Sequence, residues 1–477
     1  MGKPIGAEHK LIEQTLVFPA TRTATTTYLP LTFLDLHFAG PIYAKRLFFY
    51  PFPHSTNHFC KTTLPSLKQS LSCALQHFFP LAGNLISPPP PQKPFIRCTE
   101  EDSVFFTIVE SSSDFNHLSN KHHLKNLKEN NHLAPILTHK TRVEDINDIE
   151  NDTFTLPLLA LQVSVFPNHG VCIGITYCHV MDGNSCNHFM KSWSFIHQGG
   201  DAAELKSLPC FDREVLKDPR GLEDLILRDY FFTRKSWKFR LIAQSQSTGE
   251  HEDSFKVIIA FGKEEIEGMK KWVLNQWKKN DNNEINVPKF ISKFVVTSAF
   301  VWASMVEAMH KNDDGGDDDD EKDEYFCFTC DCRDRLGYSI PEGYFGNCVV
   351  SKSATMKRKD MKGIDSFVDV VKVIEKAVNE IKNEPLKKLE DWFELSKTMY
   401  MSGNQLFLHG SPKFNVYETN FGFGKPVKVE MVHAFKGVSL AESGDGEGGL
   451  EFGLVLKSEE FEYFSSLIQQ GLEVFKY

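Results

Sequence analysis

Residues 171–197, VCIGITYCHVMDGNSCNHFMKSWSFIH, have the patterns of a strand, a tight turn and a helix in direct succession. The β-rich run 171–177 follows another β-rich run, 156–166, and the turn signal between them predicts a hairpin. After Asp182-Gly183 the apolar residues return at helical spacing, as Cys186, Phe189, Met190, Trp193 and Ile196. The segment therefore predicts that a strand delivers His179 to a turn from which a helix begins.

The rest of the chain shows the same mixture of patterns. Further helices are predicted at 65–78, 263–277, 292–309 and 364–381 and from Ser458 as an N-cap, and strands at 255–261, 325–332, 427–432 and 450–456. Helical and strand periodicity both lapse between 201 and 220. We predict an α/β fold with mixed sheets and two similar-sized domains, an N-terminal one (1–205) with His179 and a C-terminal one (226–477), joined by a crossover linker (206–225).

Charge and composition exclude several classes of protein. The 477 residues include 53 Lys and Arg against 63 Asp and Glu, a net charge of −10 that disfavours nucleic acid as a partner. Most of this charge lies in an acidic run that predicts a solvated loop at 311–324, and a calcium site there is the less favoured alternative. The chain shows neither a signal-peptide pattern at its start nor an apolar run long enough to span a membrane. The eleven cysteines are scattered along a long chain, so we expect reduced thiols in the cytoplasm. We also expect a monomer.

His179 is the strongest candidate for chemistry. A neutral imidazole in a turn between strand and helix can take a proton from a hydroxyl or an amine near pH 7. A hydrogen-bonded structural histidine is the alternative that spacing alone leaves open. A Cys178 thiol nucleophile is disfavoured because adjacent strand residues face opposite sides. Cys327, Cys330 and Cys332 lack the matching pair that a zinc site needs, so we expect no metal. No phosphate-binding glycine motif is present, which disfavours nucleoside triphosphates and dinucleotides.

Seven segments together resemble the plant BAHD acyltransferases, and the resemblance spans nearly the whole chain. The segments are LPLTFLD (29–35), RLFFY (46–50), FPLAG (79–83), the His179 segment with its Asp-Gly, DCRDR (331–335), YFGNC (344–348) and YETNFGFGKP (417–426). The YFGNC block is most similar to the branch that acts on anthocyanins and flavonoid glucosides in specialised metabolism.

The resemblance implies chloramphenicol-acetyltransferase-like topology with a solvent channel between the two domains. It implies an acyl-CoA co-substrate, no permanently bound cofactor, and transfer of a malonyl or hydroxycinnamoyl group to a hydroxyl of a phenolic glycoside. It further implies that His179 acts as general base without a covalent acyl-enzyme.

Two motifs depart from the family pattern. The family's HxxxDG is one residue shorter here, His179-Val180-Met181-Asp182-Gly183. Counting forward from Ile173-Gly174, we expect His179 to keep the family's histidine position and the turn to Asp182 to be tightened or rotated. The resemblance implies that Asp182 points from the site toward an arginine, and Arg333 is the candidate partner.

The second departure is NFGFG in place of DFGWG, with Asn420, Gly422, Phe423 and Gly424 expected to support the channel away from His179. Asn420 keeps the shape of Asp without its charge, so only a neutral hydrogen bond is expected there. Together the departures leave an alternative hypothesis, a relative that binds a small molecule without acyl transfer or catalyses a different rearrangement or a lyase-type reaction.

Overall fold

The structure is a computed structural model that describes residues 9–21, 25–121, 124–127, 129–137, 152–237, 254–280, 287–311, 321–432, 437–446 and 448–476. Its strands are β1 (His9–Val17), β2 (Thr27–Pro30), β3 (Tyr43–Pro51), β4 (Asn84–Ser87), β5 (Phe95–Cys98), β6 (Val104–Ser111), β7 (Lys125–Asn126), β8 (Phe154–Pro157), β9 (Leu159–Phe166), β10 (Gly170–Cys178), β11 (Ser254–Phe261), β12 (Asp323–Asp331), β13 (Val349–Lys357), β14 (Gln405–His409), β15 (Lys428–Met431), β16 (Gly437–Glu442) and β17 (Leu450–Lys457).

These strands form three sheets. Their orders are β1-β6-β9-β10-β3-β15, β13-β12-β14-β16-β17-β11-β7 and β2-β5-β4-β8. The helices are α1 (Phe33–Leu36), α2 (Thr56–His58), α3 (Leu64–His77), α4 (Phe115–Ser119), α5 (Gly183–His197), α6 (Glu223–Arg234), α7 (Lys263–Asn280), α8 (Lys293–Met309), α9 (Phe367–Asn383), α10 (Trp392–Ser402) and α11 (Ser458–Phe475). The predicted α/β class with mixed sheets is confirmed.

The hairpin that leads to His179 is present as predicted. β9 and β10 pair antiparallel, and the turn between them contains Asn168 at a φ of 67°. Every residue of β10 is buried, because β9 and β3 pair with its two edges while other side chains cover both faces. A strand fixed on both sides in this way gives the residue that follows it a defined position.

Several element boundaries differ from the sequence prediction. Ser458 is the first residue of α11 and not its N-cap, because β17 runs to Lys457 and the Lys457 N–H donates to the Glu460 carboxylate at 2.8 Å. The short elements β14, β16, α6 and α10 were not predicted. Within the described residues, no helix combines the length and the apolar character that crossing a bilayer requires.

The predicted acidic loop is wrong at its C-terminal end. Residues 312–320 lie outside the described residues, but Asp323 and Glu324 belong to β12. The Glu324 side chain is buried and its Oε1 lies 2.8 Å from Arg358 Nη2. The C-terminal end of the acidic run is therefore the start of β12, where the Glu324 carboxylate is paired with Arg358 inside the protein.

Two strands cross between the halves of the chain. β15, from the second half, pairs with β3 in the first sheet, whereas β7, from the first half, pairs with β11 in the second sheet. Each half therefore completes a sheet of the other. The division into 1–205, 206–225 and 226–477 stays a prediction.

A buried charge cluster links the exchanged strand β15 to β11. Glu430 of β15 contacts Lys428, lies 3.0 Å from Lys256 Nζ of β11, and accepts hydrogen bonds from the Asn130 amide at 3.0 Å. All three charged side chains are less than a tenth exposed. Burial by itself raises the pKa of Glu430, but the two ammonium groups outweigh it and hold that pKa well below its ordinary value.

Replacing Glu430 by Gln is expected to destabilise the protein strongly. The substitution keeps the side-chain shape but leaves the Lys256 and Lys428 ammonium groups buried without their carboxylate, at a cost of about 3–5 kcal/mol. The midpoint of urea unfolding measures the effect. Glu418→Gln is the matched control, because the Glu418–Lys425 pair is more than half exposed and is expected to change the midpoint little. Equal midpoints for the two variants would contradict the importance of the cluster.

Candidate active site

The turn between β10 and α5 is set by Asp182. Asp182 is the N-cap of α5, and its Oδ1 accepts hydrogen bonds from the Ser185 N–H at 2.8 Å and from the Ser185 hydroxyl at 3.0 Å. Aspartate is among the preferred N-caps because its oxygen satisfies a backbone donor of the first helical turn. The helix therefore begins directly after the shortened motif.

The expected ion pair between Asp182 and Arg333 is present. Arg333 Nη1 donates to Asp182 Oδ2 at 2.8 Å, and the Cys348 N–H donates to the same oxygen at 3.2 Å. Both side chains are buried. Burial raises the pKa of Asp182, but the Arg333 guanidinium and the backbone donors of Ser185 and Cys348 outweigh it and lower that pKa below its ordinary value. Despite the missing residue, the turn thus keeps its carboxylate ionised and anchored.

Backbone contacts on both sides hold His179. Its N–H donates to the Ile42 carbonyl at 2.9 Å, and its own carbonyl accepts from Asn347 Nδ2, also at 2.9 Å. Its ring stacks on the ring of Phe38, with centroids 4.6 Å apart and planes inclined by 22°. The residue follows β10 directly and has little freedom to move.

The His179 ring is partly accessible to solvent. Its Nδ1 atom is buried and has no hydrogen-bond partner, so the accessible edge of the ring is the one that carries Nε2. Burial lowers the pKa of His179 below 6.5, against smaller opposing effects of its own backbone, Asp182, Asn347 and Asp35. The imidazole is therefore neutral at pH 7 and able to accept a proton.

Residues 344–347 connect this turn to the start of the chain. Both the N–H and the side-chain amide of Asn347 donate to Asp35 Oδ1, at 2.7 and 3.2 Å. Asp35 is in turn held by Thr32 through a capping box at α1. Gly346 has a φ of +141°, and a Cβ there would lie 2.3 Å from Arg213 Nη1, so the position requires glycine.

Four residues near the ring were not singled out in the sequence: Asp35, Phe38, Asn347 and His409. Asp35 and Asn347 lie in the motifs LPLTFLD and YFGNC, which were the available signals. His409 ends β14, and desolvation, with a smaller contribution from His179, lowers its pKa to about 4.

The thiol candidates are not suited to chemistry. The Cys178 side chain is completely buried with its Sγ 3.5 Å from the Gly40 carbonyl oxygen, and burial raises its pKa to about 12. A thiol in this state is inert. Cys332 lies beyond the end of β12, where its N–H donates to the Cys348 carbonyl. Within the described ranges, no group of three His, Cys, Asp or Glu side chains is placed to hold a metal ion.

The NFGFG motif forms a self-contained turn. Asn420 Oδ1 accepts from the N–H groups of Gly422 at 2.8 Å and Gly424 at 3.1 Å, and both glycines have positive φ. Phe423 packs edge-on against Tyr50 and Phe52, with centroids 5.7 and 5.6 Å away. These bonds are neutral, as expected for Asn in place of Asp. The motif therefore packs against the end of β3 and the residue that follows it.

Comparisons with known proteins agree on one family. Residues 9–470 match the profile of the Transferase family. The chain is 33% identical, over 98% of both lengths, to coumaroyl-CoA:anthocyanidin 3-O-glucoside-6''-O-coumaroyltransferase 1 of Arabidopsis thaliana. It is also 33% identical, over 97% of both lengths, to malonyl-coenzyme A:anthocyanin 3-O-glucoside-6''-O-malonyltransferase of Dahlia pinnata.

The fold is similar to solved structures of low sequence identity. Vinorine synthase has a TM-score of 0.67 at 18% identity, with 97% of this chain and 98% of that chain covered. F. sporotrichioides TRI101, solved with coenzyme A and T-2, has a TM-score of 0.59 at 13% identity, with 92% and 97% covered.

Removing the charge of Asp182 is expected to destabilise the protein in a pH-dependent way. Asp182→Asn keeps an N-cap oxygen for Ser185 but leaves Arg333 buried without its carboxylate, at a cost of about 3–5 kcal/mol. Because the folded-state pKa of Asp182 is lowered, its contribution is complete above the unfolded pKa of about 3.9 and is lost as the pH falls through the folded value. Urea midpoints at neutral and acidic pH measure this difference.

The double variant Asp182→Asn/Arg333→Met supplies the control. Because it removes both charges, it is expected to be less destabilised than the sum of the two single variants. Strict additivity, or a wild-type advantage over Asp182→Asn that grows toward acidic pH, would contradict the assigned ion pair.

Proposed function

We propose, from its membership of the Transferase family of BAHD acyltransferases, that this chain is an acyltransferase that uses acyl-CoA. In the proposed reaction it transfers a malonyl or hydroxycinnamoyl group from coenzyme A to a hydroxyl of a phenolic glycoside. The acceptor class and both donor classes come from the relatives, which act on anthocyanin or anthocyanidin glucosides with coumaroyl-CoA or malonyl-CoA. The two donor classes differ in charge, because a malonyl group carries a free carboxylate and a hydroxycinnamoyl group does not.

The observation that carries the proposal is the neutral imidazole of His179, which is fixed in position and whose Nε2 edge is accessible to solvent. His179 is fixed through its backbone by Ile42 and Asn347, and burial lowers the pKa of its ring. A general base must be unprotonated at the working pH and within hydrogen-bond reach of the proton it removes. His179 is unprotonated at pH 7, and its accessible Nε2 atom can be reached by the hydroxyl of a bound acceptor.

In the proposed reaction, Nε2 of His179 takes the proton of the acceptor hydroxyl. The freed electron pair of the oxygen forms a bond to the thioester carbonyl carbon, and a tetrahedral intermediate results. Its collapse breaks the C–S bond, and the coenzyme A thiolate takes the proton from the imidazolium. No acyl-enzyme forms, which is in keeping with a Cys178 thiol whose pKa is raised to about 12.

The remaining site residues are assigned supporting roles. Asp182 and Arg333 anchor the turn, and Gly183 is required because a Cβ there would lie 2.8 Å from the Phe414 ring. Asn420, Gly422, Phe423 and Gly424 form the turn that supports β3. A displacement of about 1 Å in such a support can reduce a rate by about 100-fold.

We further propose a cytoplasmic monomer of two domains with a solvent channel between them, which binds acyl-CoA as a co-substrate and has no permanent cofactor. Eleven free cysteines are typical of a reducing compartment. The solvent channel rests on the resemblance to the family and on the accessible edge of the His179 ring that carries Nε2.

Replacing His179 by Gln is expected to abolish turnover. Purified protein is incubated with coumaroyl-CoA or malonyl-CoA and a panel of phenolic glucosides, and released coenzyme A is measured with a thiol reagent. Loss of a general base lowers the rate by about 10²–10⁴-fold. The exposed His58→Gln is the control and should match the wild type. If wild type and His179→Gln both give only the background release, acyl transfer is refuted, and binding without transfer or a different rearrangement on the same scaffold is favoured; equal release above background would refute His179 as the base.

The acid limb of the kcat/KM profile is expected to have its midpoint below pH 6.5. The base acts in its neutral form, so activity falls as the pH falls through the pKa of His179, and burial lowers that pKa. Initial rates across the acidic range measure the midpoint. A midpoint at or above the ordinary histidine value would contradict a desolvated His179 as the base.

A further inference from the structure

The side chain of Phe38 is in direct contact with the His179 ring. The two rings are stacked at 4.6 Å, and the Phe38 N–H donates to the Asp35 carbonyl at 3.0 Å, which fixes Phe38 just after α1. Asp35 Oδ1 accepts from Asn347, which also donates to the His179 carbonyl. One short chain of hydrogen bonds therefore holds both members of the stack.

The charge on the His179 ring changes during the proposed reaction. Once the ring has taken a proton it is an imidazolium. A cation within about 6 Å of an aromatic ring is attracted by the ring quadrupole, whose face is partially negative. Phe38 presents its face at the required distance and in a nearly parallel orientation.

The other titratable groups near the His179 ring are either paired with an arginine or uncharged. Asp35 of α1 lies 3.7 Å from Arg213, and Asp182 of the turn lies 2.8 Å from Arg333. His409 at the end of β14 has a pKa lowered to about 4 and is uncharged at pH 7. Asp182, Asn347 and Asp35 favour the protonated ring through effects smaller than that of burial, and the face of Phe38, stacked directly on the ring, adds a further attraction when the proton arrives.

We propose that Phe38 is a positioning residue that orients His179 by stacking and stabilises the imidazolium formed during proton transfer. The inference rests on the proposed function. Phe38 undergoes no chemical change: the hydroxyl proton moves to Nε2, the C–O bond forms, the C–S bond breaks, and the thiolate then takes the proton.

The test separates the aromatic face from simple packing. Phe38→Leu keeps an apolar side chain beside the ring but has no π face, whereas Phe38→Tyr retains the face. In full-length protein, Leu is expected to lower kcat about two- to fivefold with a smaller effect on KM, and Tyr to behave like the wild type. Phe38→Met repeats the test if the Leu variant does not fold.

A second measurement does not depend on turnover. Histidine imidazole resonances in isotope-labelled protein are followed through a pH titration, and the His179 signal is assigned by its absence from His179→Gln. Phe38→Leu is expected to lower the pKa of His179 by about half a unit, and Phe38→Tyr to leave it unchanged.

These outcomes distinguish the inference from the proposed function. An inactive wild type with the expected pKa change would refute acyl transfer but support the stack. An active wild type whose pKa and kcat are unchanged in Phe38→Leu would overturn the inference, as would equal losses of kcat in the Leu and Tyr variants without any change of pKa.

Discussion

The ion pair between Asp182 and Arg333 is the interaction on which the candidate site depends. It joins the N-cap of α5, in the first half of the chain, to the segment after β12, in the second half, at a point where both charges are buried. A buried carboxylate without its partner is strongly destabilising. The position of the turn that contains Asp182 is therefore fixed by the position of Arg333. The Cys348 N–H and the contacts of Asn347 extend this attachment to the backbone of His179. The position of the imidazole is therefore a property of the tertiary structure and not of the short motif alone.

The shortened motif is accommodated because its two ends have separate anchors. His179 is fixed by the end of β10 and by Ile42, whereas Asp182 is fixed by Arg333 and by its own helix. One fewer residue between them shortens the connection without releasing either end. The same separation of roles holds in NFGFG, where Asn420 supports its turn with an uncharged oxygen that bonds two glycine N–H groups. Neither departure removes the neutral imidazole that acyl transfer requires.

Much of the fold and part of the site were predictable from the sequence. The β9–β10 hairpin and α5 have clear periodicity, and Arg333 was recognisable as the partner of Asp182 from its motif. Asp35 and Asn347 were not assigned, because their chemistry arises only when residues 312 positions apart are brought together. Strand exchange through β15 and β7 was equally unpredictable, since neither short strand shows which sheet it joins. Glu324 was misassigned because its neighbours in the sequence are acidic, whereas its partner Arg358 is distant.

The most direct test of the account is a crystal structure with coenzyme A and a phenolic glucoside acceptor bound. The central claim is that the anchored turn presents Nε2 of His179 to the reacting hydroxyl. The account predicts a distance of about 2.6–3.2 Å between Nε2 and the acceptor oxygen, with the Asp182–Arg333 pair intact. An acceptor hydroxyl bound to another side chain, with the His179 ring turned into the packed interior, would contradict it.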